Sequence, residues 1–97
     1  MALDMQKEGD TVRIMFEGDI DLISMTSLKN LLFSLSKDDV NIDLDASHVD
    51  FLDSSGIGML MLVKKMQRSR NRAFRIWNMP DSTKRGLTPG MLELLLE

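Results

Sequence analysis

The sequence predicts an α/β fold, in which helices pack on one face of a mixed sheet of four or five strands. Segments with apolar residues at every second position, typical of strands, alternate along the chain with segments whose apolar residues recur at spacings of three and four, typical of helices. The strand segments keep one polar face, whereas a parallel sheet covered on both sides would be apolar throughout. We therefore expect a single layer of helices against a single sheet.

The length and composition fit one domain, placed at residues 1–97. A chain of this size can bury roughly 60–70% of its unfolded surface, which is enough for a core without cross-links. There is no cysteine and only one histidine, His48, which excludes disulfides, thiolate metal sites and histidine clusters. We find no secretion signal pattern and no apolar run of transmembrane length, so we expect a cytoplasmic protein without membrane insertion. No cofactor is predicted.

Two strands are predicted at the start of the chain. Residues 1–6 alternate weakly and are typical of an edge strand, and the pair Gly9-Asp10 indicates a hairpin turn. Residues 11–17 alternate clearly, with Val12, Ile14 and Phe16 on one side. Gly18 is predicted to end this strand.

A loop, a helix and a third strand follow. Residues 19–22 are predicted as the loop, and Ser24 or Thr26 can cap a helix that ends near Leu35. Residues 40–46 alternate between apolar and polar side chains and predict the third strand. Residues 47–52 are predicted to lead into the next loop.

The second half predicts a second helix, a fourth strand and a third helix. Residues 55–70 form the second helix, which has almost no polar face in its first half. Residues 73–79 predict the strand, and Pro80 begins a short helix. Pro89-Gly90 is predicted to break the chain, and residues 91–96 are consistent with either a short strand or a helical turn.

Charge is distributed unevenly. The net charge is −3, yet six of the twelve lysines and arginines lie between Lys64 and Arg75. The acidic balance and the lack of interleaved aromatic residues argue against direct nucleic-acid binding. We interpret the basic segment as a solvated helix end, with a membrane or partner surface as the minor alternative.

The turn from Asp53 to Gly58 holds one carboxylate, two hydroxyls and two glycines at a strand-to-helix junction. Asp and Ser are preferred helix caps, so a cap is expected here. Glycine weakens a helix, so Gly56 and Gly58 indicate close approach by a strand, a ligand or a partner.

Three catalytic or ligand-binding roles for this turn are disfavoured. A serine hydrolase needs a positioned base and orienting carboxylate, and the G-x-S-x-G elbow is absent. A dinucleotide-binding loop would need glycine where Met61 stands. The neighbouring aspartates Asp43 and Asp45 lack the spacing of a calcium loop and are interpreted as a solvated strand face.

The segment Phe51–Gly58 resembles the phosphoacceptor turn of the STAS domain family, and in particular its anti-sigma factor antagonists. The shared pattern is hydrophobic–Asp–Ser–Ser–Gly–hydrophobic–Gly. Gly18-Asp19-Ile20-Asp21 resembles the acidic loop of the same family, and Pro80 with Lys84-Arg85 and Leu87 resembles its closing helix. The resemblance spans nearly the whole chain in the expected order.

The resemblance implies a bacterial signalling protein with no enzymatic activity of its own, a monomer when free. Ser54 would be the phosphoacceptor of a partner serine kinase, of the histidine-kinase-like ATPase type, that is also an anti-sigma factor. The unphosphorylated form would bind this kinase, and a serine phosphatase would reset the switch, with transcription as the regulated process. The implied partner-binding residues are Asp19, Asp21, Asp53, Ser55, Gly56, Gly58 and Met59.

Two alternatives stay open. One is a STAS subunit of a membrane transport complex that is never phosphorylated. The other is a STAS module that senses a small molecule or a nucleotide.

Overall fold

A computed structural model describes residues 2–96, and within them strands and helices alternate as the sequence predicts. The elements are β1 (Ala2–Glu8), β2 (Thr11–Ile20), α1 (Thr26–Leu35), β3 (Asn41–Asp45), β4 (Val49–Leu52), α2 (Ser54–Ser69), β5 (Phe74–Trp77), α3 (Asp81–Lys84) and α4 (Pro89–Leu96). Met1, which begins the predicted edge strand, and Glu97, which ends the predicted domain, lie outside the described residues.

The described strands form one mixed five-stranded sheet with β2 at its centre. β2 pairs antiparallel with β1, parallel with β3 along residues 11–15, and parallel with β4 along residues 18–20. β5 pairs parallel with β3, which gives the order β1-β2-β3-β5 with β4 beside the second half of β2. The mixed sheet of the predicted fold class is confirmed.

One face of the sheet is buried and the other is open. Along β2, β3 and β5 every second side chain is buried, while the intervening ones are exposed or half-buried. The helices therefore cover a single face. The positions of apolar residues in the sequence predict ten core residues. Leu31 is only partly buried, and the other nine are buried: Ile14, Phe16, Leu28, Ile42, Leu44, Leu60, Val63, Phe74 and Ile76.

Gly18 does not end β2, and the prediction of a loop from Asp19 is wrong at its first two residues. The strand bends at Gly18, whose φ of 128° suits a residue without a side chain, and continues to Ile20. The pairing register shifts between Gly18 and Asp19, so the end of the strand leaves β3 and pairs with β4. This bulge redirects the end of β2 toward α2.

β4 was not predicted, because its burial pattern has no period of two. Val49 and Leu52 are buried, whereas Asp50 and Phe51 between them are exposed. A strand of four residues with apolar side chains at both ends resembles a loop in the sequence. The short α3 packs beside β4, where the Thr83 hydroxyl donates to the carbonyl of Val49 at 2.7 Å.

Neither Ser24 nor Thr26 caps α1, so that prediction is wrong. Met25 occupies the cap position without a side-chain hydrogen bond. The chain enters the helix through a turn in which the Asp21 carboxylate accepts from the amides of Ile23 at 3.2 Å and Ser24 at 2.7 Å. An aspartate that binds its own backbone two or three residues on is a common way to make such a turn.

Pro89 and Gly90 begin a helix rather than break the chain. The Thr88 hydroxyl accepts from the amide of Met91 at 3.2 Å, which caps α4. Proline is favoured at the first helical position because it needs no hydrogen-bond acceptor there. Of the two predicted conformations for residues 91–96, the helical one is correct, and Leu95 of this helix is fully buried.

Two side chains connect the chain segments at the end of the sheet where β3 and β5 begin. The amide of buried Gln67 donates to the carbonyls of Val40 at 2.7 Å and Ala73 at 3.0 Å, at the starts of β3 and β5. The guanidinium of Arg72 contacts Asp39 at 2.8 Å and Asp10 at 3.6 Å. These contacts join the three segments that precede β2, β3 and β5.

Candidate functional site

The candidate site lies where the ends of β2 and β4 meet the start of α2. The two strands are parallel, and Ile20 at the end of one is in register with Leu52 at the end of the other. The amide of Asp53 also donates to the carbonyl of Ile20 at 3.4 Å. The acidic loop and the Asp-Ser-Ser-Gly turn, which are more than thirty positions apart in the sequence, are therefore adjacent.

Asp53 connects both segments. One carboxylate oxygen accepts from the amide of Gly56 at 2.7 Å and caps α2. The other oxygen accepts from the amide of Leu22 at 3.2 Å. The side chain that caps the helix therefore also holds the loop after β2 against it.

The two serines differ in their environment. Ser54 is exposed at the first position of α2, whereas Ser55 is half-buried. The first turn of a helix directs amide donors outward and carries the positive end of the helix dipole, which favours an anion there. A phosphoryl group on Ser54 would therefore lie in a position that the fold tolerates.

The two glycines of the turn have different surroundings. Gly56 is buried, and a Cβ at this position would overlap the carbonyl oxygen of Ile20. A Cβ on Gly58 would meet nothing within 4 Å, and this residue is exposed. Close approach by a strand thus accounts for Gly56, while Gly58 leaves an open position on the surface of α2.

The remaining residues named for partner binding divide by exposure. Asp19 and Asp21 are half-buried on the same edge as Asp53, and the Asp21 carboxylate holds the loop described above. Met59 is buried. Gly56 and Met59 are therefore covered by the fold, whereas the other residues named for partner binding are at least partly accessible.

Sequence reasoning missed two exposed apolar side chains beside the site. Leu22 and Ile23 are 68% and 88% exposed, although apolar residues of this size are usually buried. The signal available in the sequence was the presence of two adjacent aliphatic residues where the predicted loop ends, just before the residues considered as helix caps. Their position next to the Asp53 carboxylate makes them part of the same surface.

The structure gives no metal site and no membrane span in the part of the chain it describes. Between residues 2 and 96, no three acidic or histidine side chains gather closely enough to hold an ion. Over the same residues, none of the helices combines the length and the apolar character that crossing a bilayer requires.

Comparisons with known proteins agree with this architecture. The family described as "Mlab, STAS domain" matches residues 3–96. The fold is similar to that of the unphosphorylated anti-sigma factor antagonist SpoIIAA, with a TM-score of 0.79 and 16% identity over 99% of this chain and 86% of that one. An anti-sigma factor antagonist from Mycobacterium paratuberculosis gives a TM-score of 0.78 and 16% identity over 98% of this chain and 81% of that one.

A similar fold also occurs inside a larger protein. The crystal structure of Mglu matches 82% of this chain with a TM-score of 0.69 and 18% identity, but the match covers only 20% of Mglu. At these low sequence identities, the similarities to solved structures establish the fold alone.

Proposed function

This chain belongs to the STAS domain family, and from that premise we propose that it is a regulatory binding protein whose affinity for a partner is lowered by phosphorylation of Ser54. The partner is a serine kinase of the histidine-kinase-like ATPase type that also acts as an anti-sigma factor. A serine phosphatase restores the binding form. In this scheme the protein is a substrate and a binding partner, without catalytic activity of its own.

The observation that carries the proposal is the exposure of Ser54 at the first position of α2. A kinase can reach this hydroxyl without unfolding the turn, because the cap is made by Asp53 and not by either serine. Ser55, the other candidate, is half-buried. Ser54 is favoured as the phosphoacceptor because a kinase can reach it and because the start of α2 is expected to tolerate negative charge.

A phosphoryl group can weaken an interface at this position by electrostatics alone. It adds about −1.5 to −2 charges at neutral pH. A partner carboxylate about 6 Å away would experience roughly 2–5.5 kcal/mol of repulsion at an effective dielectric of 20–40. This corresponds to an affinity loss of about 30- to 10,000-fold.

The surface around Ser54 offers both kinds of contact that a protein interface uses. Leu22 and Ile23 supply apolar area, and the half-buried carboxylates of Asp19 and Asp21 supply polar contacts on the same edge. Gly58 leaves room for a partner to approach the helix closely.

The test is phosphorylation of the protein in its native cells. Intact-mass and tandem mass spectrometry of recovered wild-type protein should place one phosphate on Ser54. Ser54→Ala protein should carry none, while Ser55→Ala, the matched control, should still be modified. Phosphate on Ser55 in the Ser54→Ala protein would assign the switch to the other hydroxyl, and no phosphate under any growth condition would refute the switch.

Partner recovery tests the second half of the proposal. The Ser54→Ala protein, used as bait, should retain the kinase, and Ser54→Asp should retain at least tenfold less of it. Recovery of transporter subunits in place of a kinase would instead favour the transport-complex alternative.

A further inference from the structure

A groove of about 700 Å³ lies between α2 and α4, and Gly58 is the one residue that its described lining shares with the surface around Ser54. Its apolar lining comes from Met61 and Leu62 of α2 and Leu94 of α4. Leu62 and Leu94 are 46% and 53% exposed, so two large aliphatic side chains on neighbouring helices border one open trough. Exposed apolar residues that converge in this way mark interaction sites more often than scattered ones do.

Apart from Gly58, the rest of the described lining is basic. Lys64, Lys65 and Arg68 border the groove, and none of its lining residues between positions 2 and 96 is acidic. Lys65 and Arg68 are exposed. The local charge is therefore opposite in sign to the net charge of −3 carried by the whole chain. A field of one sign along a cleft attracts ligands of the opposite charge.

We propose that this groove binds an acidic amphipathic helix of a partner protein. The segment from Gly58 to Arg68 spans about 15 Å along α2, which matches about three turns of an incoming helix. Leucine, isoleucine or methionine at spacings of three and four on that helix would contact Met61, Leu62 and Leu94. Aspartate and glutamate on its flanks would pair with Lys65 and Arg68.

The shape of the groove favours a helix over a membrane. Binding at a bilayer surface needs an amphipathic face that inserts its apolar side chains into the headgroup region. Here the apolar side chains border an open groove lined mainly by α2, with Leu94 of α4 at its side, so an incoming helix would contact both helices. The proposal takes up the partner surface that the sequence leaves as the minor alternative for this basic segment.

The experiment titrates isotopically labelled protein with a designed helical peptide of about 14 residues, long enough to span the groove at 1.5 Å per residue. The peptide carries leucines at spacings of three and four and glutamates on both flanks. Chemical-shift changes should concentrate in α2 and α4. A peptide of the same composition with its leucines scrambled should bind at least tenfold more weakly.

Charge reversal provides the decisive comparison. The double variant Lys65→Glu/Arg68→Glu changes two exposed side chains, so its circular dichroism should match that of the wild type. It should bind the acidic peptide at least tenfold more weakly and should gain affinity for a version with lysines on the flanks. The single variant Leu62→Ser tests the apolar contact independently and should weaken binding while leaving the charge unchanged.

Several outcomes would overturn the inference. These are shift changes outside α2 and α4, equal binding of the scrambled peptide, or no effect of charge reversal. Binding to phosphatidylglycerol vesicles without binding to the peptide would assign the surface to a membrane instead. Ser54→Ala and Ser54→Asp proteins should bind the peptide equally, so this result is independent of the phosphorylation proposed above.

Discussion

The carboxylate of Asp53 accepts a hydrogen bond from the amide of Leu22, 31 positions earlier in the chain, at a distance of 3.2 Å. The same carboxylate caps α2 through the amide of Gly56. A change at the start of α2 is therefore coupled to the loop that carries the exposed apolar residues Leu22 and Ile23. This coupling connects the proposed phosphorylation site to the adjoining exposed loop.

Substitutions at Asp53 should separate its two bonds. Asp53→Ala loses both and should destabilise the protein by about 1–2 kcal/mol, as for other lost caps. Asp53→Asn keeps an oxygen for the cap but has no second acceptor for Leu22, so it should cost less. Urea denaturation gives the stabilities, and hydrogen exchange at the Leu22 amide should accelerate in both variants.

The control for this prediction is Asp50→Ala, at an exposed strand position close by. It should change stability by less than about 0.5 kcal/mol. If Asp50→Ala loses as much stability as Asp53→Ala, the effect comes from removing a negative charge and not from losing the cap.

The two glycines of the turn should respond in opposite directions to alanine. Gly56→Ala places a methyl group against the carbonyl of Ile20 and should destabilise the protein by about 1–3 kcal/mol. Gly58→Ala has open space and should stabilise α2 by up to about 1 kcal/mol. Thermal unfolding of the two variants measures both effects, and a tolerated Gly56→Ala would contradict the close packing of α2 on β2.

Gln67→Leu should cost about 1–3 kcal/mol, because the carbonyl of Val40 would lose the Gln67 donor and that of Ala73 would keep only the amide of Ile42. Part of this cost is offset because the Gln67 Oε1, which has no partner within residues 2–96, is removed as well. The matched control is Ser69→Ala in the same helix, where the lost hydrogen bond to Met66 is exposed and should matter little. Chemical denaturation measures the stability of both variants. Equally small losses of stability in Gln67→Leu and Ser69→Ala would contradict a structural role for Gln67.

The pKa of Asp39 should lie below its ordinary value of 3.8, because the Arg72 guanidinium donates to its carboxylate and adds positive charge. A carboxylate whose pKa is lower in the folded state stabilises the fold above its unfolded pKa, and this contribution is lost as the pH falls through the folded pKa. NMR titration should show the pKa of Asp39 rising toward 3.8 in Arg72→Gln. Added salt should reduce the difference in the pKa of Asp39 between the wild type and Arg72→Gln, since the ion pair of Asp39 and Arg72 is exposed to solvent.

Side-chain alternation was sufficient to predict β2, β3 and β5, because each has one face on the core and one in solvent. It failed for β4, where only the two end residues, Val49 and Leu52, are buried. It also failed at Gly18, because the sequence does not show that β4 is available to pair with a strand that bends. The cap of α1 was missed for a related reason, since Asp21 supports the turn from outside the helix.

The sequence predicted which residues form the candidate site but not the contacts between its two segments. A cap was predicted from the residue types in this turn, without a choice among Asp53, Ser54 and Ser55. The bond of Asp53 to Leu22 depends on the parallel pairing of β2 with β4, which no local pattern encodes. Position 56 likewise requires glycine for a reason that no local pattern shows, because the carbonyl of Ile20 leaves no room for a side chain there. Exposure of Leu22 and Ile23 was unpredictable because an aliphatic residue in a loop can equally be buried.

The edges of the sheet bear on how the protein behaves at high concentration. Among the described strands, β1, β4 and β5 each pair on one side only, and each could in principle accept a strand from another molecule. β1 carries Asp4, Lys7 and Glu8 along seven residues, and β4 and β5 are only four residues long. Charged and short edge strands resist such addition. Self-association into extended sheets, and the aggregation that follows from it, is thereby disfavoured even in a crowded solution.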